Sequence, residues 1–404
     1  MATIRPFKAI RPNRDKAHLV ASRSYLTYSQ ETLKEKLENN PYTFLRIINP
    51  EYNKQNKKSG IEKFKLVKKK FIEFREKGYL VQDEKPAFYL YQQQKGQHIF
   101  EGIIAATSIE DYNDGFIKIH EDTITKREEM FKDYLNVTGF NADPVLLSYK
   151  DDEKINNLIS KKQSTRPEYE FTTTNKVLHK LWIINDNDCI NTIISSFEDI
   201  DSIYIADGHH RTASSALLAK IKNIEEDSNL NYFMSFLISE KQLNIINFNR
   251  LIKNLKKLSA TDFLEKIAVN FDIKKSVDIS PKNKDEIGMY LQGESYLLTA
   301  KKGSYPEDCV NRLDPVILSK NILSPILGIL DEKTEKNISF VSGDTPLCDL
   351  KTAVDNAKNA VAFILKPIPV EALKKIAENG KIMPPKSTYI EPKLRSGLTI
   401  YSID

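Results

Sequence analysis

Residues 203–220 constrain the fold more than any other part of this chain. An apolar, β-forming run from Ile203 to Ala206 meets the polar sequence Asp-Gly-His-His-Arg and then an alanine-rich stretch from Thr212 to Lys220. The apolar run predicts a strand, Gly208 permits a tight turn, and the alanine-rich stretch predicts a helix. The sequence therefore predicts a strand, a polar turn and a helix start.

The polar residues of this turn are suited to binding an anion. The first turn of a helix leaves backbone N–H groups unpaired and carries partial positive charge, which favours phosphate. Arg211 adds a planar, permanently charged group, and His209 and His210 can donate to phosphate oxygens or move a proton near neutral pH. Asp207 repels phosphate unless it holds a metal, orients a histidine or accepts a proton. Its presence therefore favours chemistry over simple anion binding.

A purely structural explanation competes with this one. In it, Asp207 caps the helix, Arg211 pairs with Asp207, and His209 and His210 are surface groups with ordinary partners. A helix start needs only one capping residue, whereas five chemically competent residues are packed into this turn. We therefore favour the functional interpretation.

The sequence also resembles known families, in this turn and beyond it. The turn resembles the D-G-H-H-R loop of the ParB/sulfiredoxin-like superfamily, including its free-serine kinases. The rest follows the pattern of the bacterial family catalogued as domain of unknown function 1015. The matching segments, in chain order, are residues 5–12, 40–46, 50–51, 119–123, 249–250, 313–315, 383–388 and 391–393. This resemblance covers essentially the whole chain.

The resemblance implies both a fold and a reaction. The implied fold is α/β (α+β mixed), with a ParB/sulfiredoxin-like core and additional packed α/β subdomains. Members of the family look like ATP-dependent kinases of free L-serine, which make O-phospho-L-serine. Where the family usually has Pro-Tyr-Asp-Val after Ala-Ser-Arg, this chain has Ser24 and Leu26 in place of the proline and the aspartate. A carboxylate that could contact the substrate is therefore missing, which leaves the identity of the substrate open.

We expect phosphoryl transfer from ATP, accompanied by Mg²⁺, to the hydroxyl of a small amino acid such as L-serine. The predicted catalytic residues all belong to the turn: Asp207, His209, His210 and Arg211. Asp207 is also the candidate magnesium ligand. The predicted nucleotide-binding residues lie in the turn and in a proline-rich turn near the C terminus: Gly208, His209, Arg211, Thr212 and Lys386. The predicted substrate-binding residues come from two other segments: Arg46, Glu51, His120 and Glu121.

Two other classes of function remain open. A metal-dependent hydrolase would use Asp207, His209, His210, His120 and Glu121 as ligands of zinc, manganese or iron. Adjacent histidines in an extended turn rarely point to one ion, which counts against that class. The second class is a nucleotide-responsive binding or regulatory protein, although the chain lacks the focused basic patch expected for DNA binding.

The composition predicts a cytoplasmic protein with small-molecule partners. The 60 basic and 55 acidic residues give a net charge of only +5, so neither nucleic acid nor a membrane surface is an expected partner. No run of about 18 apolar residues and no apolar signal core is present. The three cysteines are far apart and predict free thiols: Cys189, Cys309 and Cys348. Sulfiredoxin chemistry would need a cysteine where this chain has His209.

The length of 404 residues predicts two or three intimately packed α/β parts. We place them at residues 1–150, at 151–250 with the D-G-H-H-R loop, and at 251–404. The expected helices are residues 29–38, 61–76, 124–135, 212–220, 262–271 and 314–329. The expected strands are residues 44–48, 88–92, 99–107, 116–119, 176–185, 203–206, 232–239 and 294–299. Residues 151–174 have no sustained period and predict a connecting segment.

Overall fold

The computed structural model describes residues 2–222, 227–332, 334–356, 360–384 and 386–403. The side chain of Leu26 and all of Pro385 lie outside the described part. The chain divides into two compact units, the first comprising residues 1–243 and 392–404 and the second residues 244–391. The predicted boundary at 150 falls inside the first unit, and the three-part division remains a prediction.

The strands and helices are numbered in chain order. The strands are β1 Ile4–Arg5, β2 Ile10–Pro12, β3 Leu80–Gln82, β4 Phe88–Lys95, β5 His98–Ser108, β6 Ile117–Lys118, β7 Phe140–Asn141, β8 Val145–Tyr149, β9 Tyr169–Thr172, β10 Val177–Ile184, β11 Ile203–Asp207, β12 Tyr232–Ser239, β13 Asn244–Ile246, β14 Phe248–Ile252, β15 Phe271–Lys275, β16 Glu286–Leu291, β17 Glu294–Ala300, β18 Ile338–Ser342, β19 Val361–Ile364, β20 Tyr389–Glu391 and β21 Tyr401–Ser402. The α-helices are α1 Ala17–Val20, α2 Gln30–Asn39, α3 Leu45–Ile48, α4 Gly60–Glu76, α5 Ile109–Asn113, α6 Thr125–Thr138, α7 Glu153–Gln163, α8 Asn187–Glu198, α9 His209–Lys222, α10 Ala260–Ala268, α11 Asp314–Leu318, α12 Leu347–Asn356 and α13 Val370–Glu378. These elements confirm the predicted mixed α/β class.

A nine-stranded sheet organises the first unit. Its strand order is β6-β11-β8-β12-β5-β4-β10-β9, and β1 pairs with β5 outside this path. The pairs β6/β11 and β8/β12 are parallel, and the other pairs in this sheet are antiparallel. One face of the sheet forms a core with helices α5, α7, α8 and α9, in which Leu90, Leu147 and Ile205 are fully buried.

Side-chain alternation separates the two faces of this sheet. In β4, Phe88 and Leu90 belong to the core beneath the helices, so Tyr89, Tyr91 and Gln93 lie on the opposite face. A smaller core lies around α4, which buries Phe64, Val67, Phe71 and Phe74 along one stripe, as its sequence predicts.

Two predictions for the first unit are wrong. Residues 44–48 form the short helix α3 rather than a strand, with Phe44, Leu45 and Ile47 buried. A short apolar run fits a buried turn of helix as well as a buried strand, and the sequence did not separate them. Residues 151–174 are not a plain connection, because they form α7 and β9. Helix α7 buries only Ile155 and Ile159 in an otherwise polar sequence, so its helical period is weak.

The second unit contains a six-stranded antiparallel sheet. Its strand order is β15-β17-β16-β19-β14-β18. Its main core includes Phe263, Met289, Leu298 and Phe363. The predicted helix at residues 314–329 is shorter than expected, because α11 ends at Leu318 and continues as a π-helical stretch from Ser319 to Leu323.

No helix within the described residues is both long enough and apolar enough to span a membrane.

Candidate active site

The strand-turn-helix predicted at residues 203–220 is confirmed and lies at one edge of the large sheet. Strand β11 ends at Asp207, and α9 begins at His209 and continues for 14 residues. Strand β6 runs parallel to β11, with Ile117 opposite Ile203. Because parallel strands end at the same edge of a sheet, His120 and Glu121, which follow β6, come close to the turn.

Gly208 allows the chain to reverse direction between β11 and α9. Its φ of +110° lies in the region that favours glycine. A Cβ atom at this position would lie 2.9 Å from Nη2 of Arg211 and 3.0 Å from its Cζ. The glycine therefore provides both the backbone turn and the space into which the guanidinium group folds back.

Asp207 lies between two cations. Lys393 Nζ donates to Oδ1 of Asp207 at 2.6 Å, and Arg211 Nη2 donates to Oδ2 at 2.7 Å. Burial acts to raise the pKa of Asp207, but the charges of Lys393 and Arg211 outweigh it and lower the pKa. The carboxylate is therefore ionised at neutral pH and keeps both cations at the N-terminal end of α9.

Arg211 also connects the turn to the loop that precedes β8. Its Nη1 atom donates to the carbonyl oxygens of Asp143, at 3.2 Å, and Pro144, at 2.5 Å. One guanidinium group thus joins Asp207 to this loop. The ion pair between Arg211 and Asp207 that the structural explanation expects is present. The guanidinium group of Arg211 thus has three oxygen partners within the protein.

His120 and His209 form a buried pair beside Asp207. Their ring centroids are 4.6 Å apart in an edge-to-face arrangement, and they are only 2% and 4% exposed. The backbone N–H of His120 donates to Nε2 of His209 at 3.4 Å, which assigns the proton of that ring to Nδ1, 3.8 Å from Oε2 of Glu121. His209 is therefore buried, whereas the purely structural explanation expects it to be a surface group.

Both histidines are neutral at pH 7. Burial lowers the pKa of His120 to about 4, although the negative charge of Asp207 acts in the opposite direction. Burial and the neighbouring His120 lower the pKa of His209 well below its usual value. The Nδ1 atom of His120 is buried and has no hydrogen-bond partner among the described residues. The pair thus offers imidazole nitrogens that can accept a proton or a hydrogen bond.

His210 and Thr212 lie in the first turn of α9. The backbone oxygen of His210 accepts from Ser214 Oγ at 2.6 Å. Thr212 is fully buried, its Oγ1 atom is 3.4 Å from the oxygen of Gly208, and its backbone N–H donates to the same oxygen at 3.1 Å. Ligand contacts of these two residues remain predictions.

The remaining predicted residues make local contacts. Arg46 donates to the backbone oxygens of Asn40, at 3.0 Å, and Glu38, at 3.3 Å. Glu51 accepts from Lys54 Nζ at 3.0 Å and from the backbone N–H of Lys58 at 2.8 Å. Lys386 belongs to the second unit, and its Nζ atom is 5.2 Å from the centre of the Phe248 ring. These contacts bring neither Arg46 nor Glu51 into the Asp207 cluster.

The donor atoms around Asp207 do not form a ready metal site. Both carboxylate oxygens accept from cations, so direct binding of Mg²⁺ to Asp207 requires one of the ion pairs to open. Within the described residues, no group of three or more histidine, cysteine, aspartate or glutamate side chains is arranged to hold a metal ion. All three cysteines are free, as predicted.

Lys393 is the main site residue without a role in the sequence analysis. It belongs to the matching segment 391–393, but it is separated from Asp207 by 186 positions in the chain. No local sequence pattern links Lys393 to a carboxylate that lies so far away in the chain. The sequence also does not predict that Arg211 contacts the backbone oxygens of Asp143 and Pro144, because side-chain motifs carry no information about backbone contacts.

Most of the chain matches one protein family. Residues 4–316 match the family described as "Protein of unknown function (DUF1015)". The chain belongs to this family. The resemblance to the family catalogued as domain of unknown function 1015 is thereby confirmed over residues 4–316. No curated protein matches this DUF1015 member significantly.

Several solved structures are distantly similar to this DUF1015 protein. A free serine kinase in complex with AMP is 12% identical, with 73% of this chain and 91% of that chain covered and a TM-score of 0.38. A conserved hypothetical protein from Pyrococcus furiosus is 14% identical, with coverages of 74% and 95% and a TM-score of 0.37. C-terminally truncated SbnI from Staphylococcus aureus is 11% identical, with coverages of 74% and 87% and a TM-score of 0.39.

Proposed function

We propose that this DUF1015 protein is a phosphotransferase that moves a phosphoryl group from ATP to the hydroxyl of a small amino acid, with free L-serine as the expected acceptor. The observation that carries the proposal is the position of Asp207, between Lys393 and Arg211 at the N-terminal end of α9. Phosphoryl transfer depends chiefly on aligning two substrates and neutralising charge. A carboxylate, two cations and a helix N-terminus supply these requirements in one place.

The proton of the acceptor hydroxyl needs a base. In the proposed reaction the hydroxyl oxygen forms a bond to the terminal phosphorus atom of ATP, the bond from that phosphorus to the ADP oxygen breaks, and the hydroxyl proton is transferred to the protein. Asp207 is the first candidate base because it is ionised at neutral pH, although its lowered pKa reduces its strength as a proton acceptor. The neutral imidazoles of His120 and His209 are the alternative bases.

Lys393 is the residue best suited to neutralise phosphate charge. Its side chain is 35% exposed, so its ammonium group can turn from Asp207 towards a ligand with little rearrangement. We assign Arg211 a positioning role, since its guanidinium already connects Asp207 with two loop carbonyls. Gly208, His209 and Thr212 remain the candidates for contact with the nucleotide from the start of α9, and His210 remains a candidate catalytic residue.

Magnesium would enter the site with the nucleotide. Mg²⁺ commonly binds through substrate phosphates and one or two carboxylates rather than through a preformed protein site. Asp207 is the carboxylate of the turn that would contact it, in exchange for Lys393. The ion would neutralise phosphate charge, and the remaining interactions would come from the residues of the turn.

The test is the formation of phosphoserine by the purified full-length protein. ATP, Mg²⁺ and L-serine are supplied, and the product is measured by ³¹P NMR and mass spectrometry, with ADP and GTP as further phosphate donors. We expect phosphoserine to form in proportion to the enzyme concentration. Lack of turnover with every donor, using L-serine, L-threonine and L-homoserine as acceptors, would refute the proposed function.

A further inference from the structure

A second polar cluster, consisting of Gln93, His179 and Arg395, lies on the face of the large sheet opposite helices α7 and α8. His179 in β10 is directly opposite Gln93 in β4, so both side chains lie on the same face. The hydroxyl of Tyr91 is 2.8 Å from Nδ1 of His179. The positive charge of Arg395 acts on both His179 and Tyr91, so its guanidinium group lies near these two side chains.

Two members of this cluster have buried polar atoms without a partner. The Nε2 atom of His179 and the Nε2 atom of Gln93 make no hydrogen bond within the described residues, although these two residues are only 0% and 6% exposed. Leaving a buried polar group unsatisfied costs about 1 to 3 kcal/mol. Two such groups on directly opposite residues therefore favour binding of a polar ligand at this place.

The cluster also contains a buried positive charge with neutral partners. Arg395 is 7% exposed, and its Nη2 atom donates to Oγ1 of Thr173 at 3.3 Å and to Oδ1 of Asn175 at 3.1 Å. The ion pairs of the described residues include no carboxylate bound to Arg395. Burial lowers its pKa, and the positive charge of Arg23 acts in the same direction. A buried guanidinium without a counter-ion is costly unless an anion binds to it.

His179 adds a neutral hydrogen-bond donor, not a second positive charge, to this cluster. Burial, together with the nearby positive charge of Arg395, lowers its pKa to about 3, so the ring is neutral at pH 7. When Nδ1 accepts a hydrogen bond from Tyr91, the proton of the neutral ring lies on the unpartnered Nε2. His179 then adds a neutral donor next to the amide of Gln93 and the guanidinium of Arg395.

We infer that Gln93, His179 and Arg395 form a binding subsite for the carboxylate of the amino-acid substrate. A carboxylate is planar and carries one negative charge, so it matches the flat guanidinium and the two neutral donors. The segment that carries Arg395 also carries Lys393, only two residues away, and the two Cα atoms are therefore no more than about 7 Å apart. The assignment rests on the proposed function.

The first experiment uses the unaltered protein and therefore carries no risk of misfolding. Isothermal titration calorimetry measures binding of L-serine, of L-serinamide, which lacks the carboxylate, and of inorganic phosphate, each with and without ADP. We expect L-serine to bind on the order of tenfold or more tightly than L-serinamide, the scale for losing a hydrogen-bonded charge. Equal affinities, no binding of L-serine, or tighter binding of phosphate than of L-serine would overturn the assignment.

The second experiment uses Gln93→Met, which removes the unpartnered amide at similar volume. Because that amide has no partner to lose, we expect an unchanged or raised melting temperature together with a rise of about tenfold in the Kd for L-serine. Gln94→Met is the matched control, because Gln94 lies in the same strand on the other face. Arg395→Gln should weaken binding further. An unchanged Kd in a folded Gln93→Met or Arg395→Gln variant would overturn the assignment.

The outcomes separate this inference from the proposed function. Phosphoserine formation with unaltered Kd and KM for serine in both variants would overturn the subsite and leave the phosphotransferase in place. Absence of turnover with serine binding that depends on Gln93 and Arg395 would overturn the phosphotransferase and leave the subsite.

Discussion

At the scale of single residues, Lys393 is the site residue that the structure adds to those predicted from the sequence. It donates to Asp207 at 2.6 Å and is the cation that we assign to phosphate charge. Its substitution thus separates a catalytic role from a purely structural ion pair. A partly exposed pair of this kind contributes no more than about 1 kcal/mol to stability.

Replacing Lys393 with Met should therefore leave the protein folded but reduce kcat by about a hundredfold, because charge stabilisation in the transition state is lost. Lys241→Met is the control, since Lys241 also forms an ion pair with an aspartate, Asp151, at 2.7 Å. Steady-state kinetics and melting temperatures of both variants provide the measurement. Equal activity in the two variants would remove Lys393 from the reaction.

The buried histidine pair makes stability depend on pH in a defined direction. The folded-state pKa of His120 is about 4, below the usual value of 6.5, so the unfolded state binds more protons between these pH values. The contribution of His120 is complete above pH 6.5 and is lost as the pH falls to about 4. A difference of this size corresponds to roughly 3 kcal/mol.

Replacing His120 with Gln should therefore flatten the fall in unfolding free energy between pH 7 and pH 4.5, because Gln does not titrate. Urea unfolding at these two pH values measures the effect, with the exposed His98→Gln as the control. A pH dependence in His120→Gln equal to that of the unaltered protein would contradict the assignment of His120 as a buried neutral group.

At the scale of elements, the strand-turn-helix of residues 203–222 depends on one glycine. Gly208→Ala would strain a backbone with φ of +110° and place a Cβ atom against the guanidinium of Arg211. Gly115 is the matched control, because its φ of +71° is also positive. In Gly115→Ala, however, the new Cβ atom would have no other atom within 4 Å. The two variants thus separate backbone strain from displacement of Arg211.

We expect both glycine variants to lose about 1 kcal/mol or more of stability from backbone strain. Only Gly208→Ala should lose most of its activity, because only there is the bond from Arg211 to Asp207 disturbed. Chemical denaturation and turnover measurements check the pair. Full activity in Gly208→Ala, or an equal loss in both variants, would contradict the positioning role of Arg211.

The elements also show where sequence reasoning succeeds and where it fails. Strand β12 is predictable because it is a nearly continuous apolar run, and helix α4 is predictable because its apolar residues recur at helical spacing. Helices α3 and α7 were not, since the first is a single buried turn and the second has two buried apolar residues. The turn at Asp207 could be found from its own residues, whereas Lys393 and Arg395 reach their partners only through the folded chain.

At the scale of the whole molecule, the first unit is built from segments that are far apart in the chain. Residues 392–404 belong to the first unit although residues 244–391 form the second. This returning segment supplies Lys393 to Asp207 and Arg395 to the His179 cluster. Both polar clusters of the first unit thus depend on a C-terminal segment that local sequence patterns do not connect to either of them.

The most direct test of the account is the rate of phosphoserine formation by Asp207→Asn beside that of the unaltered protein. The carboxylate is 37% exposed, so loss of its ion pairs should cost no more than about 1 kcal/mol, and the variant should remain folded. If Asp207 holds the cations and accepts the proton, the rate should fall by on the order of a hundredfold or more. A folded Asp207→Asn variant that forms phosphoserine at the rate of the unaltered protein would contradict the central claim.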